Sequence, residues 1–459
     1  MFYTHQPYFA HGKVFPVNGM TRTKRILLTL IILLALGGAT GAGYWYFVHS
    51  IAEGVATYQT VEEEENVYVR LGMEAYDVIK ENYWQEVTDE ALSDLFKLSL
   101  AKASNNPSVS LATTTRAGVA TMFGTAIDGV GDEEQKKALT LQTITVVLYN
   151  LGPAGRSQLY TQVDEAALRN RVANINPDKD LYDELGVPSG ANTAAVQSAF
   201  EARREELSAS SSPEAKAELE RVSYAHAVLA DNESKKMYDE AKIEPTVVSR
   251  IYGSNTLYVQ IKQIAPTSLK EFIDHIVAKS KETTLSRLIV DFRGNEGGAL
   301  DFAPYMLGVF MGPNQYAADL FHKGEREVLR TPEQIPRITD LENFEEIVFL
   351  VDERTQSTAE LTAAIFKRQN LAVIIGNTTK GWGTVENTFP LSTKITEGES
   401  YLLYLVHSLT LRDDQQPIEE SGVVPHVSVD ADDWQTQLSK YVSSAEVRSA
   451  VLELFSTQN

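Results

Sequence analysis

At about residue 247 the apolar pattern changes from a helical period to short runs alternating with helices, and this change constrains the fold more than any other feature of the chain. TLYVQI (256–261), SRLIVDF (286–292), IVFLV (347–351) and AVII (372–375) are short apolar runs rich in β-branched and aromatic residues, as buried strands require. Helical patterns at 269–279 and 358–369 stand between them. Alternation of this kind builds a mixed α/β core.

The first half of the chain reads differently. Residues 26–48 are ILLTLIILLALGGATGAGYWYFV, an uncharged run of about the length a helix needs to cross roughly 30 Å of hydrocarbon. Lys13, Arg22, Lys24 and Arg25 precede it and Glu62 to Glu65 follow it, so the positive-inside rule leaves residues 1–25 in the cytoplasm and the bulk of the chain outside. A cleaved signal peptide is the alternative, because Ala39-Thr-Gly-Ala42 offers small residues; the apolar run continues past it through Tyr44-Trp-Tyr-Phe47, which favours an anchor. The expectation is a single-pass protein of the cell membrane. Residues 53–176 read as an all-α region, with Leu71, Ala75, Val78 and Ile79 at helical spacing and Thr88 as an N-cap ahead of Asp89 and Glu90. Residues 105–130 are small and rich in Thr, Ala and Gly, and predict no firmly packed element.

Charge and composition remove several function classes. With 41 basic against 62 acidic residues and no basic patch beyond the N-terminus, no nucleic-acid surface is expected. The chain has no cysteine, which excludes disulfides, thiolate metal sites and a cysteine nucleophile. No metal is implied by His/Asp/Glu spacing, no loop has the glycine spacing that cradles a nucleotide phosphate, and no cofactor is expected.

Three loops follow the predicted buried strands, where sites form in α/β folds. RGNEGG (293–298) frees backbone N–H groups for close approach. DERTQSTAE (352–360) puts Ser357 at a strand-to-helix junction, where it is either an N-cap paired with Glu360 or a hydroxyl held where a helix stabilises developing negative charge. The third, NTTKGWGTVE (377–386), carries Lys380, Trp382 and Glu386.

In that order the three loops resemble the C-terminal processing peptidases, or tail-specific proteases. DFRGNEGG is similar to that family's D-L-R-G-N-P-G-G, QSTAE to its S-A-S-E, GNTTKGWGTVE to its G-E-P-T-F-G-K-G-T-V-Q, and GVVPHVSV (422–429) to its G-I-x-P-D-I-x-V. The resemblance implies a serine endopeptidase fold at 247–435, followed by a C-terminal helix at 436–459, acting on unfolded or C-terminal polypeptide segments. It assigns the nucleophile to Ser357 and the oxyanion hole to Gly297 or Gly298 with Thr358. The family's base is a lysine, and its position holds Trp382, whose indole accepts no proton. Lys380 becomes a displaced base two residues away, on the same face of an extended segment, with Glu386 as its partner. Two readings follow: a peptidase impaired or rearranged through Lys380, or an inactive pseudoprotease or scaffold that binds extended chains. His407 and His426 are expected to be structural.

Residues 178–242 resemble a J domain: LYDELGV, AAVQSAFEARREEL and LERVSYAHAVLADNESKKMYDEA stand for its helices, in the place where the peptidase family carries its PDZ domain. The His-Pro-Asp tip is replaced by Ser208-Ala-Ser210, so no chaperone ATPase partner is expected, and His226 is read as a packing residue.

Overall fold

The computed structural model describes residues 65–456; the predicted membrane span and the basic segment before it lie outside them. No helix among the described residues is long and apolar enough to cross a membrane.

The helical period of the first segment forms α1 (Val67–Asn82), and Leu71, Ala75, Val78 and Ile79 are completely buried. Helix α2 (Asp89–Ala103) starts at Thr88, whose Oγ1 accepts the Ala91 N–H at 3.1 Å. The small-residue stretch is partly helical after all. In α3 (Arg116–Asp128), Val119, Met122, Phe123 and Ile127 are buried among the other helices, four large apolar groups at 3.6 period outweighing the Thr and Gly between them. Helix α4 (Glu133–Asn150) completes this bundle. The region is not entirely α: β1 (Gln158–Thr161) precedes α5 (Gln162–Val172).

Residues 176–242 fold as four helices about their own core: α6 (Leu181–Leu185), α7 (Thr193–Ser208), α8 (Pro213–Ala230) and α9 (Asn232–Ala241). Asn192 caps α7 and Ser212 caps α8, with Pro213 in the first turn. His226 stacks on Phe200 with centroids 4.0 Å apart and faces Gln197 Oε1 at 2.6 Å, which is packing between α7 and α8. The block leaves and returns through one point, an antiparallel bridge between Ile175 and Ile243.

The remaining elements are β2 (Val247–Tyr252), β3 (Thr256–Ile261), α10 (Ser268–Ser280), β4 (Arg287–Asp291), α11 (Phe302–Met311), β5 (Tyr316–His322), β6 (Glu325–Arg330), β7 (Glu346–Val351), α12 (Thr358–Arg368), β8 (Val373–Gly376), β9 (Thr384–Pro390), β10 (Tyr401–Thr410), β11 (Val427–Ser428), α13 (Trp434–Tyr441) and α14 (Ala445–Ser456). The C-terminal stretch expected as one helix is two, because the chain straightens at Val442.

One six-stranded sheet has the order β11-β8-β7-β4-β3-β2, parallel except for the β2–β3 hairpin. Its central strands are apolar throughout because both faces are covered. On one side α13 and α14 bury Leu438, Val442, Val451 and Leu454 against Ile289, Val348 and Ile375. On the other, Phe349 meets Phe292 (5.3 Å) and Phe366 (4.7 Å), and Phe366 meets Phe310 (5.2 Å). A second, antiparallel sheet runs β1-β10-β5-β6, with β9 also on β10. The N-terminal bundle docks on it: the buried Glu74 carboxylate accepts Ser392 N–H (2.5 Å), Ser392 Oγ–H (2.7 Å) and Thr393 N–H (3.0 Å).

Candidate active site

The three loops singled out by sequence meet at the C-terminal ends of β4, β7 and β8. Asp291, which ends β4, is buried with Arg293: the guanidinium holds both its oxygens, at 2.6 to 3.1 Å, and donates to Leu454 O at 2.9 Å. Tyr258 Oη donates to the same carboxylate at 2.8 Å, which ties the DFRG turn to α14 and to β3. Loop 294–298 is then fixed to loop 352–357, since Gly294 N–H donates to Asp352 Oδ1 and Gln356 N–H to Asn295 O, both at 2.9 Å.

Ser357 stands immediately before α12 with φ 55° and ψ −127°, in the left-handed region that a non-glycine residue occupies only under strain. It forms the capping box with Glu360, and its own N–H donates to Glu360 Oε2 at 2.9 Å. The Glu360 carboxylate is therefore what holds the serine at its turn. Gly297 lies directly against it, because a Cβ at 297 would come within 2.6 Å of Ser357 Cβ.

The expected oxyanion donors separate. Gly297 N–H is committed to the buried Asn295 side chain (Oδ1, 2.8 Å), so it is not available to a ligand. Gly298 has its carbonyl taken by Thr358 Oγ1 at 2.9 Å. The N–H groups of Gly298 and Thr358 are the pair beside Ser357 that are left for a carbonyl oxygen.

Glu360 is fully buried and does more than the cap its spacing from Ser357 implies. Its Oε2 accepts Ser357 N–H and Trp382 N–H (2.8 Å), and its Oε1 accepts Gly381 N–H (2.7 Å) and the Thr379 hydroxyl. Burial pushes its carboxyl pKa up, and the four donors only partly oppose this. Because one oxygen serves both Ser357 and Trp382, their backbone nitrogens are less than about 6 Å apart. The backbone of Trp382 thus lies close to that of the serine.

Lys380 N–H donates to Thr355 O at 2.9 Å, its side chain is exposed, and among the described contacts its ammonium has no hydrogen bond or ion pair. The expectation that residues 380 and 382 share a face fails at Gly381, whose φ of +78° turns the chain between them. Nor does Glu386 meet Lys380. It stands on β9 below Trp382, accepting from Trp382 Nε1 (3.2 Å) and Tyr404 Oη (3.4 Å). Burial raises its pKa, while Thr384, Trp382 and the Arg156 charge work in the opposite direction.

The histidines serve the scaffold. His426 Nδ1 accepts Ile374 N–H at 2.9 Å and its own N–H returns to Ile374 O at 2.8 Å, joining β11 to β8. His407 stacks on His322 at 4.2 Å within the second sheet. Among the described residues no group of three His, Cys, Asp or Glu side chains could hold a metal ion.

A strained serine ahead of a helix and two backbone N–H groups beside it lie among the strand-end loops of a parallel sheet, where sites form in α/β folds. Residues 255–429 of the chain match Peptidase family S41. The carboxy-terminal processing protease CtpA of Bacillus subtilis is 29% identical over 190 residues, which is 41% of this chain and 38% of that one. A CtpA-like serine protease of Staphylococcus aureus is 27% identical over 161 residues, 35% of this chain and 30% of the other. The matches thus span between three tenths and about two fifths of those relatives' length. Among solved structures, a photosystem II D1 C-terminal processing protease aligns over 80% of this chain and 94% of its own, with 13% identity and a TM-score of 0.47.

Proposed function

We propose that this chain is a membrane-anchored, extracytoplasmic homologue of the S41 serine peptidases that holds extended polypeptide at Ser357 but has impaired peptidase activity. The observation that carries this reading is the occupant of the base position. The motif's lysine position is taken by Trp382, whose indole accepts no proton, on a loop whose 382 N–H shares a Glu360 carboxylate oxygen with Ser357 N–H, while the neighbouring Lys380 side chain is exposed. The retained serine strain and the open N–H pair support retention of the binding geometry. Residues 178–242, with their J-like pattern and no His-Pro-Asp, stand in this reading as a protein-binding module and not as a partner for a chaperone ATPase.

Cleavage of an unfolded, C-terminally labelled polypeptide tests the proposal, using the parent beside Ser357→Ala, Lys380→Ala and Trp382→Lys. The parent is expected to show no serine-dependent turnover and Trp382→Lys to gain it. Turnover in the parent that disappears in both alanine variants would replace this reading with a Ser357–Lys380 dyad.

A further inference from the structure

The segment between α4 and β1 reaches the loop beside Ser357 through one side chain. Arg156 lies with its guanidinium carbon 3.5 Å from the centre of the Trp382 ring. Its Nε and one terminal nitrogen donate to Glu419 Oε1 at 3.1 and 2.9 Å, and Glu419 Oε2 accepts Gly383 N–H at 2.7 Å. Both charges are largely buried, with side chains 18% and 7% exposed. Arg156 is also fixed from behind, because the buried Ser157 Oγ accepts Val406 N–H at 3.2 Å and β1 pairs with β10. The indole is therefore held on three sides: Glu360 at its backbone, Glu386 at its Nε1, and Arg156 over its face.

We infer that Arg156 is a positioning residue for the site, through which the N-terminal helical region sets the conformation of loop 377–383 beside Ser357. The planar fork suits this task, since one group supplies paired hydrogen bonds to a carboxylate and a flat cation for an aromatic face. The Arg156–Glu419–Gly383 relay fixes the loop immediately after Trp382, and Glu360 fixes it immediately before. Without Arg156 the buried Glu419 carboxylate loses its counter-ion, and the loop keeps only its Glu360 side. This inference rests on the reading of Trp382 as the occupant of the base position.

The test is hydrogen exchange of the full chain with Arg156→Ala and Arg156→Lys, and with Arg116→Ala as a control that removes an equally paired arginine, bound to Asp77 inside the bundle. Arg156→Ala is expected to lower protection of residues 377–386 about tenfold. Arg156→Lys is expected to restore part of it, and Arg116→Ala to leave the loop unchanged. The Trp382 contribution to fluorescence, taken as the difference from Trp382→Phe, is expected to become more accessible to a soluble quencher only when Arg156 is lost. Protection within twofold of the parent in Arg156→Ala, or equal opening in Arg116→Ala, overturns the inference. Neither readout involves turnover, so peptidase activity in the parent would refute the proposed function and leave this result standing.

Discussion

Replacing Glu360 by its uncharged isostere is expected to be no milder than truncating it. The carboxylate accepts four donors, three of them backbone N–H groups that cannot reverse. In Glu360→Gln the amide nitrogen takes the Oε1 side, where the Thr379 hydroxyl is able to turn and accept; Gly381 N–H then faces an N–H group and one amide hydrogen has no acceptor. Two buried unsatisfied donors at about 1–3 kcal/mol each give a loss of about 2–6 kcal/mol. In Glu360→Ala all four donors lose their acceptor, but the space left is polar and large enough for water to satisfy some of them, so the loss falls in the same range of about 2–6 kcal/mol. Urea unfolding of both variants, read by far-UV dichroism with matched m-values, measures the difference. A Gln variant within about 1 kcal/mol of the parent would refute the reasoning, because it would mean that the carboxyl is held protonated and already presents a donor.

Two further expectations concern groups outside the loop. Arg293→Ala leaves the Asp291 charge buried with Tyr258 Oη and the residue 293 backbone N–H as its remaining donors and removes the bond to Leu454 O, so a loss of about 3–5 kcal/mol, with early exchange in α14, is expected; uniform exchange across α13 and α14 would contradict it. Burial, then His322 and Lys323, holds the His407 imidazole down at about 4. A depressed histidine favours the fold while neutral, so its contribution is present above the unfolded value of 6.5 and is lost as pH falls towards 4, by no more than about 3 kcal/mol. His407→Asn should flatten that part of the stability–pH curve, and equal slopes in parent and variant would exclude His407 as the cause.

The four inner strands of the parallel sheet were legible because each carries its own apolar run, whereas the edge strands β2 and β11 do not: 256–261 is β3 to the residue, and 347–351 misses β7 by one. Caps were legible for the same local reason, as at Thr88 and Asn192. The second sheet was not, since β1 joins β10 across more than 240 residues and neither strand announces its partner. In the site, Ser357 and the glycine loop follow from local sequence. Arg156 and the second role of Glu360 do not, because their partners are distant in the chain and an arginine or a helix-cap glutamate has many solvated uses. The shared face expected of residues 380 and 382 is lost at one dihedral: alternation assumes extended backbone, and Gly381 breaks it.

The narrow stalk of the four-helix block has a consequence for how such a chain is assembled. Asn174 and Glu244 exchange backbone contact at 3.1 Å, the Asn174 amide donates to Glu244 O at 2.9 Å, and Ile175 pairs with Ile243. Antiparallel partners stand only about 5 Å apart, a gap that a two-residue turn closes. Everything between them is therefore a cassette: a different folded unit with adjacent ends could be spliced at 175 and 243 while the registers of β2 and β3 stay as they are. Exchange of one folded unit for another at this point needs no change in the sheet that carries Ser357.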